Sequence, residues 1–388
     1  MNQYMKKKPI QGLALILLAS LSACDSADLP IQHADNYGYM SFSVQTEQLS
    51  TRTNPYESYD PAKHPSNMGV FGYYDITHDG SSTPTGDLTA ANTIFDNTLV
   101  SYQSDKKNWD PSEARQWDAY TGKKSFDFFA NMPRSEDTKI THDEGSDEYT
   151  LSFPFYIPRS GEGTSAKPAP LMYDVTKAPL ICAMPEHKTG TTASGNQTTL
   201  DRTIKFQFDQ TLTGYQLLFK LDPKMGAIRQ FRIKKVTLTG DLATSGTVSR
   251  TYKWDGSNWT AGERIWTDLN RVKFDASSPF EIASQATSSL VVTSSDYSQW
   301  GATFYTIPDS KFNPTITVTY DVELTAEDGS TVVTRKDITS DITFNKTNFD
   351  KLTTGGMALV NSIRILIQPR YLYVLGDDDA YTGHLLVE

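Results

Sequence analysis

The sequence predicts an all-β protein built as two tandem β-sandwich domains, and three observations predict it. Apolar and polar residues alternate with period two in one segment after another. Clusters of Gly, Pro, Asn and Asp separate those segments, and no stretch carries a long 3.6-residue apolar stripe capped at both ends. A chain of 388 residues exceeds one compact domain of roughly 100 to 200 residues, so two sandwiches suit its length.

Residues 1–23 read as a secretory signal. Lys6, Lys7 and Lys8 precede the apolar run Leu13 to Ala19, which is too short to cross a bilayer. Small residues follow in Leu21-Ser22-Ala23-Cys24, an order that is similar to the lipobox of bacterial lipoproteins, so Cys24 is expected to be lipidated and to become the first residue of the mature chain. Acyl chains at about 0.8 kcal/mol per buried methylene would then tether the body to a membrane without a transmembrane helix. Residues 24–36 form a polar tether.

Residues 37–200 are expected to make the first sandwich. Alternation starts at Tyr39 and runs to Thr46, with Met40, Phe42 and Val44 on one face. It returns at Val70 to Tyr74, Ser125 to Ala130 and Tyr149 to Phe153. The polar run His187 to Thr199 is the longest gap before alternation resumes at Ile204, so the boundary is expected near residue 200. Residues 201–388 then supply the second sandwich through Ile204 to Phe208, Phe231 to Leu238, Ser289 to Thr293 and Thr315 to Leu324. The last of these runs through an Asp328-Gly329 turn into Thr331 to Thr334. Trp254-Asp255-Gly256-Ser257-Asn258-Trp259 reads as a hairpin tip flanked by rings.

Lys plus Arg at 36 against Asp plus Glu at 46 give a net charge of −10, a sign that repels nucleic acid. Losing residues 1–23 removes three lysines and no acid, so the mature chain is more acidic still. The 2 cysteines, Cys24 and Cys182, make no disulfide scaffold, redox pair or thiolate zinc site. Cys182 lies in the apolar run Leu180 to Met184 and is expected to be an inert core thiol. The 6 histidines are scattered, with no pair at i and i+4 to bind zinc. Gly161-Glu162-Gly163 is followed by prolines rather than a phosphate-binding helix, and Ser104-x-x-Lys107 lacks the partner motifs of a penicillin-binding site. The acidic runs Asp143 to Glu148 and Asp377 to Asp379 lack the spacing of a calcium loop and read as solvated turns. No nucleophile, base and orienting group can be nominated together, so no enzyme, metal or cofactor is expected.

Several segments resemble the fimbrillin family, the type V pilin subunits of certain Gram-negative envelopes, across nearly the whole mature chain. They are the lipobox at Cys24, Met40 to Val44 followed by Thr51-Arg52-Thr53, Met68 to Tyr74, and Val100-Ser101-Tyr102 ahead of Trp109, Trp117 and Tyr120. Phe126 to Pro133, Pro170 to Tyr173 and Phe206-x-Phe208-x-Gln210-x-Leu212 complete the series, with Gln210 standing where the family often has histidine. The resemblance implies two transthyretin-like sandwiches and export as a lipoprotein to the outer membrane and cell surface. It also implies a maturation protease that cuts behind a basic residue after the first strand, here Arg52, and head-to-tail assembly with other pilin subunits.

The physics permits this. A sandwich that loses a strand exposes unpaired amides, carbonyls and apolar side chains, and a neighbour's strand can fill the gap by β-augmentation. Candidate donors are Ile363, Ile365 and Ile367; Tyr371, Tyr373 and Leu375; and the terminal Leu385 and Val387, for which folding back onto their own domain is an equal alternative. The rival reading is a surface lipoprotein that binds glycans through its 6 tryptophans and never polymerises.

Overall fold

The computed structural model describes residues 38–47, 56–77, 88–158, 168–189, 202–224, 229–284, 289–309, 311, 314–326, 328, 330–343, 360–369 and 383–387. Among them there are strands and short 3₁₀ turns and no α-helix. In chain order the strands are β1 (Ser41–Glu47), β2 (Tyr56–Ser58), β3 (Asn67–Tyr74), β4 (Thr93–Gln103), β5 (Asn108–Pro111), β6 (Ser125–Met132), β7 (Lys139–Asp143), β8 (Glu148–Tyr156), β9 (Leu180–Cys182), β10 (Glu186–Thr189) and β11 (Thr203–Gln210). They continue with β12 (Thr213–Leu221), β13 (Arg229–Trp254), β14 (Trp259–Ala261), β15 (Ile265–Phe274), β16 (Phe280–Glu281), β17 (Leu290–Val292), β18 (Ser298–Thr306), β19 (Thr315–Thr325), β20 (Thr331–Thr343), β21 (Val360–Pro369) and β22 (Gly383–Val387).

The first sheet runs β6–β3–β4–β5–β1–β11–β9, and β9 pairs back onto β6 through Asn131–Ile181 and Met132–Leu180, so its hydrogen-bond path closes into a ring. The closure is partial, since β5 meets β1 only at Trp109–Phe42 and strands β10 and β2 branch off at β6 and β1. Strand β6 shows why the closure is stable: SFDFFANM is buried at every position. Phe126 and Phe128 meet Trp117 on one face, while Phe129 meets Tyr149, Tyr252 and Trp259 on the other. With apolar side chains on both faces, a strand is stable only between two layers.

The second layer comes from β7, β8 and the far half of β13. Strand β13 is 26 residues long and serves two cores. Its first part puts Phe231, Ile233, Val236 and Leu238 against Ile316, Val318, Tyr320 and Val322 of β19, and its last part puts Val248, Tyr252 and Trp254 into the core of the ring. The sheet β18–β12–β21–β22 covers the second core with Leu217, Phe219, Ile363, Ile365 and Ile367.

The division expected at residue 200 therefore does not fall between the two cores. Strand β11 lies beyond it yet is a rung of the first ring, and β13 and β14 return Val248, Tyr252, Trp254 and Trp259 to that same core. The polar gap that suggested the boundary falls between β10 and β11, two strands of one sheet.

Candidate functional site: the first strand and its seat

Strand β1 is an inner rung. It lies parallel to β11 from Ser41–Thr203 to Thr46–Phe208, with β2 along its second half and Trp109 of β5 opposite Phe42 on the other edge. Period-two alternation fixes which side chains go inward. Met40, Phe42, Val44 and Thr46 are buried, while Ser43 and Gln45 face outward beside Lys205 and Gln207. Phe42 lies 5.8 Å from Phe95 and 6.5 Å from Phe206, so it joins β1 to strands on both sides.

Backbone bonds hold the entry to the strand. The Met40 amide donates to Arg115 O at 2.8 Å, and the Trp117 amide donates to Gly38 O at 2.8 Å. The Trp117 indole N–H donates to Arg202 O just before β11, tying the two neighbours of β1 to each other. A cleft of about 780 Å³ runs alongside, lined by Ser43 and Gln45 of β1, Lys205 and Gln207 of β11, and Tyr102 and Trp109.

Ion pairs hold the exit. The Glu47 carboxylate accepts from the Gln210 amide at 3.1 Å and from Arg264 Nη1 at 3.1 Å, and that guanidinium also donates to Gln210 O at 2.5 Å. Burial pushes the Glu47 carboxyl above its ordinary pKa, with Arg264 pulling the other way. A few residues on, Tyr56 OH donates to Asp209 Oδ1 at 2.7 Å, and Arg250 Nη1 donates to Asp209 Oδ2 at 2.5 Å. Burial, reinforced by the Asp209 bond, raises the Tyr56 hydroxyl pKa. Glu47 at the end of β1 and Tyr56 at the start of β2 are thus each tied by charge-assisted bonds to β11 and its neighbours.

Arg52, between β1 and β2 in the chain, lies outside the described residues, and so do Cys24 and the donor candidates Tyr371, Tyr373 and Leu375. Ile363, Ile365 and Ile367 are buried in the second core, on β21 between parallel β12 and antiparallel β22. Leu385 and Val387 lie on β22, whose backbone pairs with β21 of the same chain.

Cys182 is a core thiol, buried and 3.1 Å from Tyr252 OH, and burial raises its pKa. Trp109, Trp117, Trp254, Trp259 and Trp300 are buried, and Trp266 spends its indole N–H on Thr211 O. The rings therefore complete cores and offer no exposed stacking platform. In the acidic run at Asp143, that carboxylate accepts from the Gly145 amide and the Ser146 hydroxyl, which uses it as a turn. Glu47 and Arg264 escape a reading of the sequence, because they are far apart in the chain and neither sits in a motif, whereas Gln210 stands out only as a departure within a resembling segment.

No protein-family model and no curated protein matches the sequence. Among solved structures, the chain is similar to a fimbrial protein from Bacteroides vulgatus at 14% identity and a TM-score of 0.49, over 90% of this chain and 99% of that one. It is similar to a protein from Bacteroides uniformis named for cell adhesion at 12% identity and a TM-score of 0.38, over 91% and 99% of the two chains. It is also similar to the fimbrial anchor protein Mfa2 from Porphyromonas gingivalis at 13% identity and a TM-score of 0.27, over 89% and 97%. The solved structures it resembles along most of its length are thus named as fimbrial and cell adhesion proteins.

Proposed function

We propose that the chain is a non-enzymatic fimbrial subunit or fimbrial accessory protein, with two transthyretin-like folding units, exported as a lipoprotein acylated at Cys24. It is activated when a protease removes β1 by cutting behind Arg52, and it assembles head to tail as a neighbour's strand takes the vacated place. Adhesion or biofilm formation at the cell surface is the expected consequence of such a filament.

The carrying observation is that β1 is an integral rung of a partial barrel, paired on both edges and with Met40, Phe42 and Val44 buried, rather than a tail lying outside the sheets. Each of those side chains contributes about 1.5 to 3 kcal/mol through burial, and each backbone hydrogen bond about 0.5 to 1.5 kcal/mol net. A chain without β1 is left with an apolar slot edged by unpaired backbone groups of β11, which water satisfies only in part. A strand from outside restores both terms. Such a head-to-tail contact does not close on itself, so it propagates.

The Arg52→Ala chain is expected to stay uncut and to form no filaments when treated with an arginine-specific protease, as read by gel and electron microscopy. Filaments of an uncut Arg52→Ala chain would refute the cleavage step.

A further inference from the structure

Once residues up to Arg52 are gone, Arg264 loses its carboxylate and the Gln210 amide loses its acceptor, while Gln210 at the end of β11 and Arg264 in the connection just before β15 belong to segments that remain. With the resident strand in place, side-chain exposure is 15% at Arg264 and 20% at Glu47, so the pair is largely desolvated at the end of an apolar slot. The nearby Arg250 cannot serve instead, because Asp209 already holds it. Thr46 Oγ1 and Gln210 Nε2 are buried with no hydrogen-bond partner among the described residues, so the resident strand leaves polar capacity unused at this end. A strand entering in the direction of β1 meets the slot first and the cation last.

We infer that Arg264 and the Gln210 amide form a carboxylate-reading end stop, which sets the register of the incoming strand and selects the segment Tyr371 to Asp378 of a second copy as donor. This rests on the strand-exchange reading above. The seat asks for apolar residues at the places of Met40, Phe42 and Val44 and an acid three residues after the last of them, where Glu47 stands. Tyr371, Tyr373 and Leu375 followed by Asp378 satisfy that spacing. Ile363, Ile365 and Ile367 meet the apolar requirement but bring Arg370 to the cation, a like charge, and they are already committed to the second core. Leu385 and Val387 with Glu388 present an acid, yet that register sets Gly383 in the place of Phe42 and leaves the ring-filling position empty.

The test uses the full chain nicked behind Arg52 and labelled synthetic peptides that compete with the resident strand. A peptide of residues 370–379 is expected to bind, Asp378→Asn to weaken it roughly ten-fold, and Asp378→Glu, which restores the reach of Glu47, to tighten it. In Arg264→Gln protein the Asp378→Asn penalty should shrink to less than about two-fold, and Arg264→Lys should retain part of it. A peptide of residues 361–370 should bind more weakly and improve with Arg370→Glu. An equal penalty in wild-type and Arg264→Gln protein overturns the end stop while leaving strand exchange standing. Coupling seen only with a peptide of residues 38–48 carrying Glu47→Gln overturns the choice of donor. Failure of every peptide to bind refutes strand exchange and the end stop together.

Discussion

Phe42 touches rings on two other strands, so truncating it opens a hole that no single neighbour can fill. Phe42→Ala is expected to lower the unfolding free energy by about 3 to 5 kcal/mol, seen as a lower urea midpoint at unchanged slope. Ser43→Ala, facing outward one residue later, should stay within about 0.5 kcal/mol. His64 tests a different force. It is 2% exposed, and both ring nitrogens lack a hydrogen-bond partner among the described residues. Burial, opposed weakly by Glu57 and Asp60, lowers its pKa from 6.5 to about 4. The unfolded chain therefore binds a proton that the folded chain refuses between about pH 6.5 and 4. The stability of the neutral ring is present in full above pH 6.5 and is lost as pH falls through that window. The melting temperature of wild type minus that of His64→Met should be flat above pH 7 and should fall as pH drops to 4; a difference that does not depend on pH would contradict the buried neutral ring.

The strands β1, β6, β8, β11 and β19 were legible in the sequence because each shows its own alternation, and a period of two is a local property. The tip between Trp254 and Trp259 was legible as well: the Asp255 amide donates to Asn258 O, Gly256 has φ +98°, and the flanking rings lie 5.6 Å apart. Ring closure was not legible, because it depends on parallel β1–β11 pairing and on β9 meeting β6, registers between residues far apart that alternation does not specify. Strand β13 was read only in part, as Phe231 to Leu238, since beyond Gly240 its side chains change from one core to another and the pattern breaks. Of the candidate site, β1 and its apolar face were foreseen and its ionic exit was not. At the scale of the element, β1 is expected to be the strand whose loss matters most to its neighbours. Proline at Val44 should prevent the ring from closing, whereas proline in β7, an outer strand of its sheet, should be tolerated far better; soluble yield and the sharpness of thermal unfolding would show the contrast.

Across the whole molecule, β13 is the continuous strut between the two cores, so neither core is expected to melt alone. Val236→Ala on the second core and Val248→Ala on the first should each lower one shared transition, with calorimetric and van't Hoff enthalpies in agreement; two resolved transitions would show that the strut does not couple them. The same architecture limits what removal of β1 can do. The ring opens, while the second core, with β12, β21 and β19, keeps its strands. The most direct measurement is deuterium uptake at the amides of β11, Thr203 to Phe208, in three states: the uncut chain, the monomer from which residues up to Arg52 have been removed, and the filaments that this monomer forms. Protection in the first, its loss in the second and its return in the third is the expected result. Protection that persists in the trimmed monomer would mean that β1 leaves no open seat behind it, and assembly by replacement of that strand would be refuted.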